Sequence, residues 1–257
     1  MKAAIVYLFI ISGAEVVTNY TDIFVGITSH ALILISLLIY SALKADSPRH
    51  KLFLALTLAP LTRVLSLSMP LTKFPVIYWY AIIYPVLMVG AWVTMRRLNY
   101  RPGEIGLNTR QPYLQLLIAL SGIVLGITEY VILRPPPIVP ELSLRWVLVS
   151  FLVLMGGTGL GEEFIFRGVA QKAAVEALGR WGILYIAFIF AVLHLVHRSP
   201  IDILFVFSYI TMLLGCYRCS TLPIWQVSKP SLVNSFHFAK DFRFKILRRA
   251  GSPPQAD

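Results

Sequence analysis

The chain is poor in charge and nearly devoid of cysteine. Only 14% of its 257 residues are charged, where soluble domains carry roughly a quarter. So little charge cannot cover 57% hydrophobic residues in water, which excludes a soluble globule. The same apolar excess excludes a disordered chain. Two cysteines, Cys216 and Cys219, are too few for a disulfide framework. They form a lone CxxC at the end of an apolar run, with no second pair to complete a zinc site, and read as small residues near an interface. A cleavable signal peptide is not expected: the apolar start over 3–13 runs through Glu15 into more apolar sequence without a cleavage site. There is no internal repeat at a fixed period. The only low-complexity tract, Pro135-Pro136-Pro137, reads as a stiff outer loop.

What the chain has instead is long apolar runs, with a mean hydropathy of +0.74. A helix needs about 20 apolar residues to cross the hydrocarbon. That length gives spans near 3–18, 23–43, 52–70, 76–95, 113–133, 146–166, 181–197 and 200–222. The first is short and the last two are closely spaced, so seven to eight crossings are expected. The fold class is all-α, a polytopic membrane helix bundle. The net charge of +11 then has a topological meaning rather than a nucleic-acid one. Segments 44–51, 96–112 and 167–180 hold ten Lys and Arg, against four in the intervening loops and at Arg198. Cytoplasmic loops collect such residues, so the poorer loops face outward and both termini lie in the cytoplasm. The basic tail agrees. The segment 168–180 alternates apolar and polar residues at helical spacing and could lie along the interface.

Ionisable side chains within spans are costly and are therefore candidates for function. Glu15, Arg63, Glu129, Glu162, Glu163, Arg167, His194 and Asp202 qualify. Glu15 and Arg63 read as a structural pair or as snorkelling groups, and Glu129 as interfacial. The run Gly161-Glu162-Glu163-Phe164-Ile165-Phe166-Arg167-Gly168 is different. Two adjacent carboxylates end a long apolar helix, and Glu163 and Arg167 stand i,i+4, so they can pair. Glu162 is turned about 100° away by the helical period. One carboxylate can be held by a cation while its neighbour stays available as a base. The next span ends Phe190-Ala191-Val192-Leu193-His194, which puts a ring against an imidazole on one helix face. His197, beside Arg198 and Pro200, reads as interfacial. His237 and Asp241 are again i,i+4 and could bind a metal, orient a water or polarise a carbonyl. They could equally be charges of the basic tail.

In order, Glu162-Glu163-xxx-Arg167, Phe190-xxx-His194 and His237-xxx-Asp241 resemble the pattern EExxxR, FxxxH, HxxxN/D. That pattern marks the type II CAAX prenyl protease and bacteriocin-processing family of intramembrane metalloproteases, also called Abi or CPBP. Gly161 and Gly168 flank the first motif as the family has them. The resemblance covers roughly 113–241 and implies eight membrane helices around a conical cavity facing the cytoplasm. It divides the chain into N-terminal transmembrane helices over 1–112, protease-like catalytic helices over 113–241 and a basic cytoplasmic tail over 242–257.

By that resemblance Glu162 would activate the attacking water with His194 sharing it. Glu163 and Arg167 would support the site, and His237 and Asp241 would stabilise the oxyanion. A divalent metal, compatible with zinc, would draw on Glu162, His194 and His237, although the HExxH arrangement is absent. The expected activity is an intramembrane endopeptidase acting on a membrane-associated or lipid-modified peptide, in a bacterial inner membrane, with the lipid bilayer and no nucleic acid as partner. The competing reading is a non-catalytic membrane scaffold, maturation partner or immunity factor that keeps the fold. A solute transporter using Glu15, Arg63 and Glu129 is a third, disfavoured by the lack of symmetry between halves.

Overall fold

A computed structural model describes residues 2–47, 49–69, 76–107 and 143–194, with Tyr113, Leu120 and Ile127. All regular structure among the described residues is helical. The helices are α1 (Lys2–Tyr20), α2 (Ile23–Leu43), α3 (His50–Leu56), α4 (Leu58–Ser68) and α5 (Val76–Arg97). After a short 3₁₀ turn at Pro102–Ile105, they continue with α6 (Leu144–Leu154), a π-wound segment (Met155–Ala170), α7 (Gln171–Leu178) and α8 (Trp181–Val192).

Five stretches are long and apolar enough to cross a membrane: Lys2–Tyr20, Ile23–Leu43, His50–Ser68, Ile77–Arg97 and Leu144–Leu178. They correspond to the first four expected spans and the sixth. The seventh is represented by the shorter apolar helix Trp181–Val192. Of the fifth only Tyr113, Leu120 and Ile127 are described, and the eighth lies outside the described residues, as do Glu129, His197, Asp202, Cys216 and Cys219. Large apolar side chains such as Phe9, Phe24, Leu32, Val89 and Phe151 stand exposed on the outside of these helices. That is the surface a bilayer covers, and the chain is an integral membrane protein.

Each break has a local cause. Asp22 caps α2, accepting from the backbone N–H of Phe24 at 2.7 Å and of Val25 at 3.0 Å. α3 and α4 meet at Thr57, three residues before Pro60; proline has no N–H to give and crowds the preceding turn. Gly179 turns α7 into α8 with φ of +61°, a conformation that costs a glycine little.

One expectation is corrected here. The helix carrying the paired carboxylates was expected to end near residue 166 and to give way to a loop or an interfacial helix over 167–180. Instead it continues from Leu144 through Leu178. The reason is packing: Val169, Ala170, Ala173 and Ala174 are buried within the main hydrophobic core, so the apolar face of this stretch is covered by protein.

The three basic segments share one end of the bundle. Glu176 gathers Lys51 at 3.4 Å and Lys172 at 3.2 Å, and accepts the Tyr100 phenol at 2.7 Å. Burial, then this bond to Glu176, pushes the Tyr100 phenol above its ordinary range. Arg96 lies over Trp92 and Arg180 over Trp181, at 5.8 and 5.4 Å from the ring centres, as at a membrane interface.

Far from that end, α1, α2 and α4 meet at buried charge. Arg63 donates from Nε to Glu15 Oε1 at 2.5 Å and from Nη2 to Glu15 Oε2 at 2.9 Å. His30 Nε2 stands 3.1 Å from Glu15 Oε1, off the line of a good hydrogen bond. Glu15 and His30 are fully buried and Arg63 is 8% exposed. The pair expected from sequence is therefore structural and closed. Glu15 and Tyr84 each stand thirteen residues from the terminus of their helix at the basic end, Lys2 and Arg97, and Arg63 stands thirteen from His50, where the span made of α3 and α4 begins. At 1.5 Å per residue that is about 20 Å deep.

Arg63→Met should leave the Glu15 charge buried and unpaired, at a cost of about 3–5 kcal/mol. Unfolding followed by circular dichroism in detergent would show it, and adding Glu15→Gln to the same chain should recover most of the loss. Gly182→Ala brings a methyl to 2.4 Å from the Ala174 backbone carbon. It should lower stability by about 1–3 kcal/mol in the same assay.

Candidate active site

The paired carboxylates sit on the π-wound segment. Its start, Met155-Gly156-Gly157-Thr158-Gly159-Leu160-Gly161, holds four glycines, and glycine has the weakest hold on α-helical geometry among residues other than proline. A π-helix closes its hydrogen bonds at i→i+5, usually occurs as a single turn, and is frequent at functional sites. Here it runs from Met155 to Ala170 and carries the whole first motif.

The two glycines flanking the motif are points of close approach. A methyl added at Gly161 would lie 2.6 Å from Cδ1 of Tyr84, and one at Gly157 would lie 3.0 Å from its Cδ2. Gly157 and Gly161, four apart, thus form a notch filled by the Tyr84 ring of α5, the small-xxx-small logic of membrane helix contacts. At the other end, a methyl on Gly168 would meet the Ile105 carbonyl oxygen at 3.3 Å. The π segment is therefore laid against α5 and the turn that follows it.

This docking decides the fate of each carboxylate. Glu163 Oε1 pairs with Arg167 one turn on, as the spacing predicts. Glu163 Oε2 is buried without a hydrogen-bond partner among the described residues. Glu162 turns instead to α5, where the Tyr84 phenol donates to its Oε1 at 2.5 Å. Tyr80, one turn earlier, stacks on Tyr84 with ring centres 6.2 Å apart and planes 10° from parallel. Neither tyrosine was singled out from sequence. The available signal was the GxxxG spacing of Gly157 and Gly161 just before the motif, which announces a close neighbour without naming it.

The second motif packs onto the first through its aromatic residue. Phe190 meets Phe166 edge to face at 4.8 Å, and the Phe190 ring also lies 4.6 Å from the His194 ring. His194 Nδ1 is 2.8 Å from the Phe190 carbonyl oxygen, so Nδ1 carries the proton and donates. Nε2 is then the nitrogen left to accept.

The hairpin of α7 and α8 fixes where His194 falls. Gly182 rests on the Ala174 backbone. Eight residues forward from Gly182 is Phe190, and eight back from Ala174 is its contact Phe166. Four more in each direction reach His194 and Glu162. Counted in residues, the histidine thus stands opposite the glutamate in the hairpin, and His194, just past the end of α8, is exposed among the described residues. Tyr185, on the same helix, anchors it to α1 by donating to the Ala4 carbonyl at 2.8 Å.

His237 and Asp241, the expected third motif, lie outside the described residues. Of the expected zinc ligands, Glu162 and His194 remain, and Glu162 Oε1 is already occupied by a phenol. Among the described residues no three His, Cys, Asp or Glu side chains gather into a metal-binding group. The third expected ligand, His237, lies outside them, and what the described donors offer is a carboxylate with one oxygen held, an imidazole with Nδ1 bonded to a carbonyl, and a buttressed Glu163–Arg167 pair.

No curated protein and no solved structure matches the chain. A family model does, over residues 144–227, and its description is type II CAAX prenyl endopeptidase, Rce1-like. The match opens at the first residue of α6 and includes Glu162, Glu163, Arg167 and His194, while His237 and Asp241 lie beyond it. From the start of α6 to residue 227 the chain thus matches the type II CAAX prenyl endopeptidase family, the same one that its motifs resemble.

Proposed function

We propose that this protein is an intramembrane endopeptidase of the CAAX-protease type, with Glu162 as the base that activates water. One observation carries the reading: Glu162 has one oxygen engaged by Tyr84 and the other without a partner among the described residues, within the family-matched segment that also includes His194. Peptide hydrolysis needs a proton acceptor for the attacking water and donors for the oxygen that becomes charged. Glu162 Oε2 takes the proton as the water oxygen bonds to the carbonyl carbon. His194 Nε2 accepts a hydrogen bond from the same water and orients it. Collapse of the tetrahedral intermediate breaks the C–N bond, and Glu162 returns the proton to the leaving amine. Glu163 and Arg167 neutralise one another beside the base and keep its helix face in place. His237 and Asp241 would complete the site on the side of the oxyanion.

The substrate class follows from depth. Tyr84 fixes Glu162 about 20 Å from the basic end by the helix rise, well inside a hydrocarbon core of about 30 Å. A peptide tethered by a lipid, or embedded itself, can present its carbonyl there through a cavity open to the cytoplasm. The basic end faces the cytoplasm in this reading, which puts both termini there, in a bacterial inner membrane.

Purified protein in proteoliposomes should cleave a prenylated peptide ending in a CAAX box. Glu162→Ala and His194→Ala should each lower turnover by about a hundredfold or more. Equal rates for all three proteins would sink the assignment. If Glu162→Ala then restores the phenotype of a deletion strain in full, the fold serves a binding role instead.

A further inference from the structure

We infer that Tyr84 is a positioning residue of the hydrolytic site, holding Glu162 so that a single carboxylate oxygen faces the water. This rests on Glu162 acting as the base. The tyrosine belongs to none of the three expected motifs and comes from α5, outside the family-matched segment.

Three features make the contact a built one rather than a chance approach. The ring is seated in the Gly157/Gly161 notch, where a methyl at Gly161 would come to 2.6 Å of Cδ1. The ring is stacked on Tyr80, and the tyrosine is only 6% exposed. The phenol then has its hydrogen bond at 2.5 Å to Glu162 Oε1, a carboxylate with a freely rotating stem of its own. Glu163, the adjacent carboxylate, is tied down by Arg167 on its own helix. Among the described residues no cation pairs with Glu162, and its orientation is set from α5. A phenol is suited to this work: it donates one bond, brings no charge that would neutralise the base, and leaves Oε2 to accept a proton. An arginine at the same place would grip both oxygens, as Arg63 grips Glu15.

Tyr84→Phe removes the donor and keeps the ring in its notch. The full-length variant is compared with wild type and with Glu162→Ala in proteoliposomes, on the prenylated CAAX peptide. Expected are a kcat lower by about tenfold, the worth of one hydrogen bond to a charged group, and a KM within about twofold of wild type. The double variant Tyr84→Phe/Glu162→Ala should be no slower than Glu162→Ala alone. A second readout is independent of turnover. A hydrophobic carbodiimide should modify Glu162 faster in Tyr84→Phe than in wild type, because Oε1 is no longer covered; mass spectrometry of the modified peptide reads the ratio.

Wild-type kcat and unchanged labelling in Tyr84→Phe, with Glu162→Ala inactive, would overturn the positioning role and leave the base assignment standing. Undiminished hydrolysis by Glu162→Ala would overturn the base assignment itself. A KM that rises with kcat unchanged would make Tyr84 a substrate contact and overturn the positioning role. Should Tyr84→Phe not accumulate in the membrane, Tyr84→Met removes the same donor while keeping an apolar side chain in the notch, and wild-type kcat with unchanged Glu162 labelling there would likewise overturn the role.

Discussion

The constraint on which this structure turns is that a carboxylate taken out of water must find a donor. In a bilayer the alternative is an unmet charge in hydrocarbon, and the cost is large enough to dictate which helices lie side by side. Glu15 is met by the guanidinium of α4 and approached by an imidazole of α2. Glu162 is met by a phenol of α5. Glu176 is met by a phenol just past α5 and by two lysines. Each acid reaches a different helix, and together these bonds place α1 to α5 and the motif helix in one arrangement. Apolar packing alone has little sense of direction in lipid, where the surroundings are as greasy as the side chains.

The acids are held in different ways, and the difference tracks their use. The guanidinium spends both oxygens of Glu15, so that group is finished as chemistry and serves as a strut. Glu163 is bonded within its own helix and stiffens it. Among the described residues Glu162 is bound by one oxygen only. A base has to be fixed without being consumed, and a neutral donor does that where a cation would not. The same economy shows in the histidines. His30 is sealed at Glu15 with Nδ1 unsatisfied among the described residues, while His194 spends Nδ1 on a carbonyl and keeps Nε2.

Much of this was legible in the sequence because it depends on spacing along one helix. Five of the expected spans appear as long apolar helices. The Glu163–Arg167 pair is an i,i+4 relation, and the Phe190–His194 contact is another. Glu15 and Arg63 could be matched because a charge in each of two spans leaves few alternatives. What could not be read was anything carried between helices by an ordinary residue. Tyr84 is one of twelve tyrosines, and its role arises from a notch made by what Gly157 and Gly161 lack. The continuation through 167–178 was hidden as well. Its polar residues suggested a loop, whereas its small apolar residues pack inside protein and let the helix run on. The winding change at Met155–Ala170 has a glycine-rich precursor but no periodicity of its own.

The hairpin register has a consequence for the length of the chain between the two motifs. Because Gly182 rests on Ala174 and Phe190 on Phe166, Leu178 acts as the zero mark of a ruler, with the glutamate and the histidine each sixteen residues along its two arms. One residue gained or lost in α8 would slide the imidazole by about 1.5 Å and swing it by about 100°, away from its partner's face. The interval between the motifs is therefore a dimension of the site.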